Sequence, residues 1–477
     1  MLRRALLTAV VFAASGCFSP VEDDSDLVPR APDAGTDAGV RRDGGQREGV
    51  AAGDAGDDDD AGAPVDSGIG FDAGVIAVDA GGVDAGVIID AGMVMVDAGV
   101  GPDAGVIIDA GVVMVDAGVG SDAGVRYWTL GSGAHFNPRA IVFQGSVRVF
   151  AYQSATGDLA WCDGAPGCTW QVLDGAGGSA GRVQGDVGGG CIAASVWGNE
   201  LYVYYPQSDF NGSHRVLRVA VLANGAWTFQ TIDGQGSGTH GVTSGNVGGC
   251  PSASTAPPWT FVGFTDLDND VFRLGWTNRQ SWDFQTLDGQ GGPNGRINAP
   301  ITPWLAQVTV GGVLHTFYGP TGGGLRQGTF TGVGDWTFRD VAPSTPLVAA
   351  PFTAVDQGQL WVFYRDGQSL RVASGSPWTT AAVDADSSRD VGQFGGAAVT
   401  GLRVHAFYFE ANFGDLRHAT RASTGWQLET LDGDFDAPDG RVAGTVGRSA
   451  SALVLPGAVI AVYEGQAGAV RLVRLNE

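Results

Sequence analysis

The chain contains no lysine, so all 27 of its cationic residues are arginine, set against 51 aspartates and glutamates for a formal net charge of −24. No cluster of basic residues interrupts that acidity. This argues against a nucleic-acid ligand, because binding a polyphosphate rests on neutralising it with Lys and Arg. No apolar run approaches the roughly 20 residues that a membrane-spanning helix requires. Helical 3.6-residue periodicity is missing from the chain beyond residue 125, which excludes an all-α or doubly wound fold there. The six histidines are scattered without metal-ligand spacing, and no His-Glu-x-x-His helix occurs.

Met1-Leu-Arg3-Arg4 is a basic start to an apolar run from Ala5 to Ala14. About ten such residues make a secretory signal rather than an anchor. Ala14-Ser15-Gly16, leading directly into Cys17, resembles the lipobox of bacterial lipoproteins. That resemblance implies removal of residues 1–16, acylation of Cys17 and attachment to a membrane through the lipid. With Phe18 rather than Asp after the cysteine, it also implies an outer-membrane lipoprotein of the cell envelope, exposed at the surface or in the periplasm.

From 17 to 125 Asp-Ala-Gly recurs, and a 19-residue block runs twice with Asp84, Asp103 and Asp122 at equivalent positions. The 23 acidic residues here face only 4 arginines, so most of the net charge belongs to this segment. Phe18 and Phe71 are its only aromatics. A self-repelling, glycine-broken chain of this kind cannot bury enough surface to fold, and a disordered tether with a typical span of roughly 60 Å is expected. Local strand pairing of its Val-Ile-Ile-Asp and Val-Met-Val-Asp insertions is the alternative.

Beyond residue 125 a phrase recurs in which a tryptophan opens a strand that ends in Asp-Gly. Trp170-Gln-Val-Leu-Asp174-Gly175, Trp227-Thr-Phe-Gln-Thr-Ile-Asp233-Gly234, Trp282-Asp-Phe-Gln-Thr-Leu-Asp288-Gly289 and Trp426-Gln-Leu-Glu-Thr-Leu-Asp432-Gly433 are near copies, with Trp336 and Trp378 opening looser versions. Spacings of 57, 55, 54, 42 and 48 residues mark stacked supersecondary units that cannot bury their faces alone. Leu360-Trp-Val-Phe-Tyr364 and Ser369-Leu-Arg-Val-Ala373 alternate with period two around Asp366-Gly367, a hairpin signal. Leu217-Arg218, Phe272-Arg273, Leu325-Arg326, Leu370-Arg371, Leu416-Arg417 and Val470-Arg471 mark the corresponding strand of other units. An all-β fold is predicted, a β-propeller of four-stranded blades over 126–477. Six Trp strands close six blades, and the C-terminal strands then lack an outer partner. Tyr127-Trp128-Thr-Leu-Gly131 matches the phrase and has no strands before it. A seventh blade closed by this N-terminal strand is therefore expected, which removes two exposed sheet edges; six blades with a frayed tail is the rival.

The four remaining cysteines suit an oxidised, secreted domain. Cys162 and Cys168 flank Asp-Gly-Ala-Pro-Gly between two expected strands, while Cys191 and Cys250 follow glycine runs at equivalent inner-strand positions of adjacent blades. Bridges within each of these pairs are expected, although four cysteines leave three connectivities open.

Val147-Arg148-Val-Phe-Ala-Tyr152-Gln153, followed by Gly157-Asp-Leu and Trp170, resembles a repeat of the fucose-specific propeller lectins. The Trp128 phrase and blade bodies such as 360–372 are similar to those of bacterial seven-bladed propeller lectins. The resemblance implies multivalent carbohydrate recognition, each site using an Arg from one strand, a Glu from the next and an aromatic platform. Only Arg148 holds the Arg position, where other blades carry Tyr202, His315, Trp361, His405 and Ile460; Val219, Gln327, Val372 and His418 replace the Glu. A pocket of the fucose pattern is therefore not expected. Sugars present apolar ring faces and hydroxyl edges, which suit aromatic planes beside polar groups. Arg148, Trp361 and His405 are the candidate carbohydrate-binding residues. The plain alternative is inter-blade packing for the aromatics, salt-bridging for Leu-Arg and turns for Asp-Gly.

Asp266-Leu-Asp268-Asn-Asp270 and Asp432-Gly-Asp434-Phe-Asp436-Ala-Pro-Asp439 alternate carboxylates as calcium loops do. Val271 and Ala437 stand where a glycine would follow and no distal Glu appears, so both are read as solvated turns. No metal, cofactor or catalytic residue is assigned, and the repeated Ser-x-Asp-x-Gly-x-Thr-Trp boxes of sialidases are missing. The chain reads as a membrane-anchored surface binding protein for glycans. A protein-interaction or structural propeller is the alternative, with a glycosidase behind both.

Overall fold

The computed structural model describes residues 124–477, apart from 132, 209–213, 237, 333–335, 344–345, 402 and 435–438, together with four short strands within 87–115. The signal sequence, Cys17 and the rest of the acidic segment lie outside the described residues. Val87–Asp90, Met93–Asp97, Gly105–Asp109 and Val112–Val115 pair in chain order as an antiparallel sheet.

The larger unit is a seven-bladed β-propeller. Residues 135–174, 193–233, 247–288, 301–342, 352–384 and 391–432 form blades 1 to 6, each a four-stranded antiparallel sheet running in chain order from inner to outer strand. Blade 7 takes Arg448–Leu455, Ala458–Glu464 and Val470–Asn476, and its outer strand is Val125–Thr129. The two ends of the domain thus share one sheet. There is no single core: among the described residues, a separate buried apolar cluster lies between each pair of neighbouring blades.

The outer strands explain how the blades are joined. Along Ala226–Asp233, Trp227 and Phe229 pack toward blade 1 and Ile232 toward blade 3. The register then shifts between Leu217 and Arg218 on the neighbouring strand, a bulge that sets two successive residues on one side. Asp233 is thereby turned the same way as Ile232, into the interface with blade 3. It is fully buried there, and its Oδ2 accepts Arg273 Nε at 3.2 Å. Asp174 accepts from Tyr205 at 2.7 Å and Arg218 at 3.1 Å. Asp384 accepts from Tyr408 at 2.8 Å and Arg417 at 3.1 Å, and Asp432 from Tyr463 at 2.6 Å and Arg471 at 2.8 Å. Asp288 accepts from Tyr318 at 2.6 Å, with Arg326 3.7 Å away.

The other carboxylate oxygen serves the aspartate's own chain. Oδ1 of Asp233 accepts the N–H of Gly234 at 2.9 Å and of Thr243 at 2.7 Å, and the same pair of bonds recurs at Asp174, Asp288 and Asp432. The glycine is required: Gly234 has φ +98°, and a Cβ there would lie 2.9 Å from Val216 Cα. The arginine continues the network by donating to a loop carbonyl, Gly181, Gly241, Gly295 or Gly440. So the Leu-Arg row and the Asp-Gly phrase are two halves of one inter-blade joint. Two seams lack it. Blade 4 ends in Ala342, opposite Tyr364 and Arg371 of blade 5, and blade 7 ends in Leu130, opposite Ala151 and Ala160 of blade 1.

The Asp-Gly end, rather than the tryptophan, fixes the register of the phrase, and this corrects two sequence equivalences. Thr129 stands opposite Arg471 as Thr231 stands opposite Arg218, so Val125 and not Trp128 is the counterpart of Trp227. Val172 opposite Ala160 likewise makes Trp170 the counterpart of Phe229. Both displaced tryptophans pack at the seam between blades 7 and 1, beside Leu130 and Cys168.

Both expected disulfides are formed. Cys162–Cys168 closes the turn before the outer strand of blade 1, with Cα atoms 5.9 Å apart, and Cys191–Cys250 links blades 2 and 3 across 4.9 Å. Cys191 and Cys250 also pack with Trp304, Ala350 and Phe394, which come from blades 2 to 6 and meet in the middle of the ring.

Replacing Asp432 by Ala leaves the buried Arg471 guanidinium without its counter-charge, which should cost about 3–5 kcal/mol of stability. Asp366→Ala removes a partly exposed pairing with Arg371 and should cost less than about 1 kcal/mol. Urea unfolding of the two variants beside the parent checks the contrast.

Candidate functional site

The face of the ring opposite the Asp-Gly loops carries the turns joining the first strand to the second and the third to the outer. Cavities open there between blades 2 and 3 and between blades 3 and 4. Three positions before the seam tyrosine, the second strand presents a residue toward the next blade: Arg148, Tyr202, Phe261, His315, Trp361, His405 and Ile460 in blades 1 to 7. The three sequence candidates therefore hold equivalent positions at three separate blade interfaces, and the structure does not bring them into one site.

Their surroundings differ. Arg148 pairs with Asp163, lies 4.9 Å from the centre of the Trp161 ring, and keeps part of its side chain exposed. Trp361 is only 5% exposed, set edge-on to Trp426 and covered by the Arg421 guanidinium 4.7 Å from its ring. His405 is 2% exposed in a polar chain between blades 6 and 7. Its Nε2 lies 3.1 Å from Glu477 Oε1, and its Nδ1 lies 3.0 Å from His418 Nε2; His418 Nδ1 in turn lies 2.7 Å from Glu429. Of the three, only Arg148 keeps a substantial part of its side chain exposed.

The groove between blades 2 and 3 holds a more complete constellation, built from side chains that the other blades do not repeat. Glu200 opens the second strand of blade 2, and Arg279 comes from the turn before the outer strand of blade 3. Arg279 Nε donates to Glu200 Oε2 at 2.8 Å, and Tyr202 donates to the same oxygen at 2.7 Å. A second guanidinium nitrogen donates to the Trp197 carbonyl, and the guanidinium lies 4.0 Å from the Trp197 ring centre. Arg279 has φ +78°, a left-handed conformation that a side chain adopts at a cost. The bond from its N–H to Thr277 Oγ1 at 3.0 Å helps to hold it there. With Gln230, Thr228 and Trp282 these residues line a cavity of about 230 Å³. Burial, and then its bond to Glu200, raise the Tyr202 phenol well above its usual range, so it remains a donor at neutral pH. Repeat alignment misses Glu200 and Arg279 because both sit where the blades differ. Their signal is an arginine outside the Leu-Arg row, in the turn before an outer strand.

The next groove, between blades 3 and 4, is almost wholly aromatic: Trp259, Phe261, Trp276, Phe330 and Trp336, with Leu274 and Gln285, surround about 200 Å³. Between blades 4 and 5 His315 bonds Gln327, which also takes bonds from Arg339 and from Trp378 Nε1.

The acidic clusters have other employment. Asp266 accepts from the N–H groups of Asp268 and Asn269 and from the Asn269 amide, closing its own turn. Asp432 belongs to the joint between blades 6 and 7, Asp439 pairs with Arg441, and Asp436 lies outside the described residues. Asp415 is pushed up to about 7 by burial and by the neighbouring Asp434 carboxylate. That pair is on the Asp-Gly face, away from the grooves.

No family model and no curated protein matches the chain. Among solved structures, the BP39L lectin from Burkholderia pseudomallei shares 17% identity, covering 73% of this chain and 97% of that one at a TM-score of 0.48. A fucose-specific lectin from Aleuria aurantia shares 16%, covering 62% and 96% at 0.41. The phage phi92 endosialidase shares 11%, covering 77% and 71% at 0.44. At such identities the chemistry of the grooves has to be read from this chain's own residues.

The groove histidines should make stability fall in acid. Burial pulls His405 down to about 3, helped by His418 and Arg403, and burial with Arg339 pulls His315 down to about 4. A histidine whose folded value lies below its unfolded value binds fewer protons when folded, so stability declines as the pH drops from about 6.5 toward 4. The double variant His315→Gln, His405→Gln should lose less stability than the parent over that interval, measured by urea unfolding at pH 7 and pH 4.5.

Proposed function

We propose that the chain is a surface-held carbohydrate-binding protein that takes neutral sugars in its inter-blade grooves, with the Glu200–Arg279 groove as the principal site. The observation that carries this reading is the set of groups there. Two vicinal hydroxyls of a pyranose can divide between an acceptor and a donor, one donating to the Glu200 carboxylate and the other accepting from the Arg279 guanidinium. Trp282 beside them offers an apolar plane to a C–H face of the ring, and Gln230 supplies a further donor and acceptor. A cavity of about 230 Å³ suits one sugar residue. Because Arg279 is already paired with Glu200, the groove holds little net charge, and an anionic sugar would meet the Glu200 carboxylate. Neutral sugars are favoured on that ground.

Arg148 and Asp163 beside Trp161 repeat the acceptor, donor and aromatic plane between blades 1 and 2, a second and more open site. Weak binding at two such sites gains from effective concentration when the ligand is a repeating surface glycan. The lipobox-like run into Cys17 supports a lipid anchor in the cell envelope, the means by which the propeller meets such a surface. The carboxyls of the grooves are paired with arginine or histidine, which favours binding over turnover.

Titrating the full chain with glycans selected on an array should show binding to neutral sugars. Arg279→Ala and Glu200→Gln should each weaken it at least about ten-fold, the scale of one charge-assisted hydrogen bond, and Arg148→Ala by less. Absence of any glycan signal, with retention of a specific protein partner, would replace this reading by an interaction scaffold, and release of a cleaved sugar would replace it by a glycosidase. In cells, Cys17→Ser should move the protein from the membrane to the soluble fraction; unchanged partition and lipid labelling would refute the anchor.

A further inference from the structure

The aromatic groove between blades 3 and 4 differs in kind from its neighbours. Its lining holds three indoles, Trp259, Trp276 and Trp336, and two phenyl rings, Phe261 and Phe330, but no charged side chain. Gln285 is the single amide among them, so a sugar placed here would bring its ring of hydroxyls into a cavity with almost nothing to satisfy them, at the cost of stripping their water. The volume of about 200 Å³ is below the roughly 300–1,000 Å³ of pockets for drug-sized ligands. The occupant is therefore one compact group without hydrogen-bonding demands.

Electrostatics selects among such groups. The faces of indole and phenyl rings are negative, and several converging faces hold a cation that has no hydrogens to donate. Outside that lining, next to it in strand register, stands a carboxylate. Asp283 stands directly across from Trp276 on the adjacent strand and two residues before Gln285, so it shares the face that these two turn to the groove. Its carboxylate is 2.7 Å from the exposed His240 ring and keeps about a third of its surface open. Residues 126–477 themselves carry 28 acidic side chains against 21 arginines, a milder preference of the same sign.

We propose that this groove is an aromatic cage for a quaternary or N-methylated ammonium group of the choline type, steered by Asp283. The site is independent of the sugar grooves and stands or falls apart from them.

The test uses the full chain and choline chloride, followed by quenching of tryptophan fluorescence and by calorimetry. Choline should bind saturably, and 3,3-dimethyl-1-butanol, which has the same shape without the charge, at least ten-fold more weakly. Trp276→Ala should lower choline affinity at least ten-fold. Asp283→Asn, which keeps the shape of the side chain, should lower it about three-fold with an unchanged melting temperature. Equal binding of the neutral isostere would make the groove a merely apolar pocket and overturn the proposal, as would choline binding that survives Trp276→Ala. Phosphatidylcholine vesicles distinguish the source of the group: co-sedimentation competed by free choline identifies a lipid headgroup, and binding of free choline without co-sedimentation identifies a soluble ligand. Failure of both would overturn the cage.

Discussion

A buried carboxylate at the end of an outer strand is the constraint on which the ring depends. Asp174, Asp233, Asp288, Asp384 and Asp432 are each 2% exposed or less, in a place where an unpaired charge would be prohibitive. Each is acceptable only because the next blade brings an arginine, and in four of the five seams a tyrosine, to the same oxygen. The pairing has a direction, since a blade supplies the acid to its successor and the base to its predecessor. It also has a backbone half, because the other oxygen usually fixes the loop that leads to the next inner strand. One side chain thus sets the bulge, the loop and the angle between neighbours. Apolar clusters supply the bulk of the burial, but they would tolerate sliding that a charge-assisted joint does not.

Much of this fold was legible because the joint is written twice per repeat, as Asp-Gly and as Leu-Arg, 33 to 44 residues apart in the chain and adjacent in space. The repeat together with the N-terminal strand gave the seven blades, while the two disulfide pairs were expected from a hairpin position and from equivalent inner-strand positions, with three connectivities open until the structure showed them. Misreading the register of Trp128 and Trp170 came from anchoring the phrase on its most conspicuous residue, when the bulge and the carboxylate set the frame. The role of the arginines was open between ligand contact and structure, because sequence cannot show that each reaches the aspartate of a different repeat.

The grooves were less legible for a physical reason. A repeat period reveals what the blades share, whereas a site is made where they differ. Arg148 was visible because it alone holds the Arg position of the lectin repeat that the sequence resembles. Trp361 and His405 hold the same position, yet their neighbours Arg421, Trp426, His418 and Glu477 close over them. Glu200 opens a strand of one blade and Arg279 lies in a turn of the next, 79 residues apart, and nothing around either announces the other. The fold keeps its electrostatic joints on one face and its variable side chains on the other, so the grooves can change without disturbing the ring.

The two seams without the carboxylate divide the circle unequally. Blades 1 to 4 are chained by three joints, reinforced by Cys191–Cys250, and blades 5 to 7 by two. The junctions between these arcs rely on side-chain packing and neutral hydrogen bonds such as Trp378 to Gln327. Sub-global opening follows the weakest boundaries of a structure, so amide protons bordering the Ala342 and Leu130 seams should exchange ahead of those within either arc.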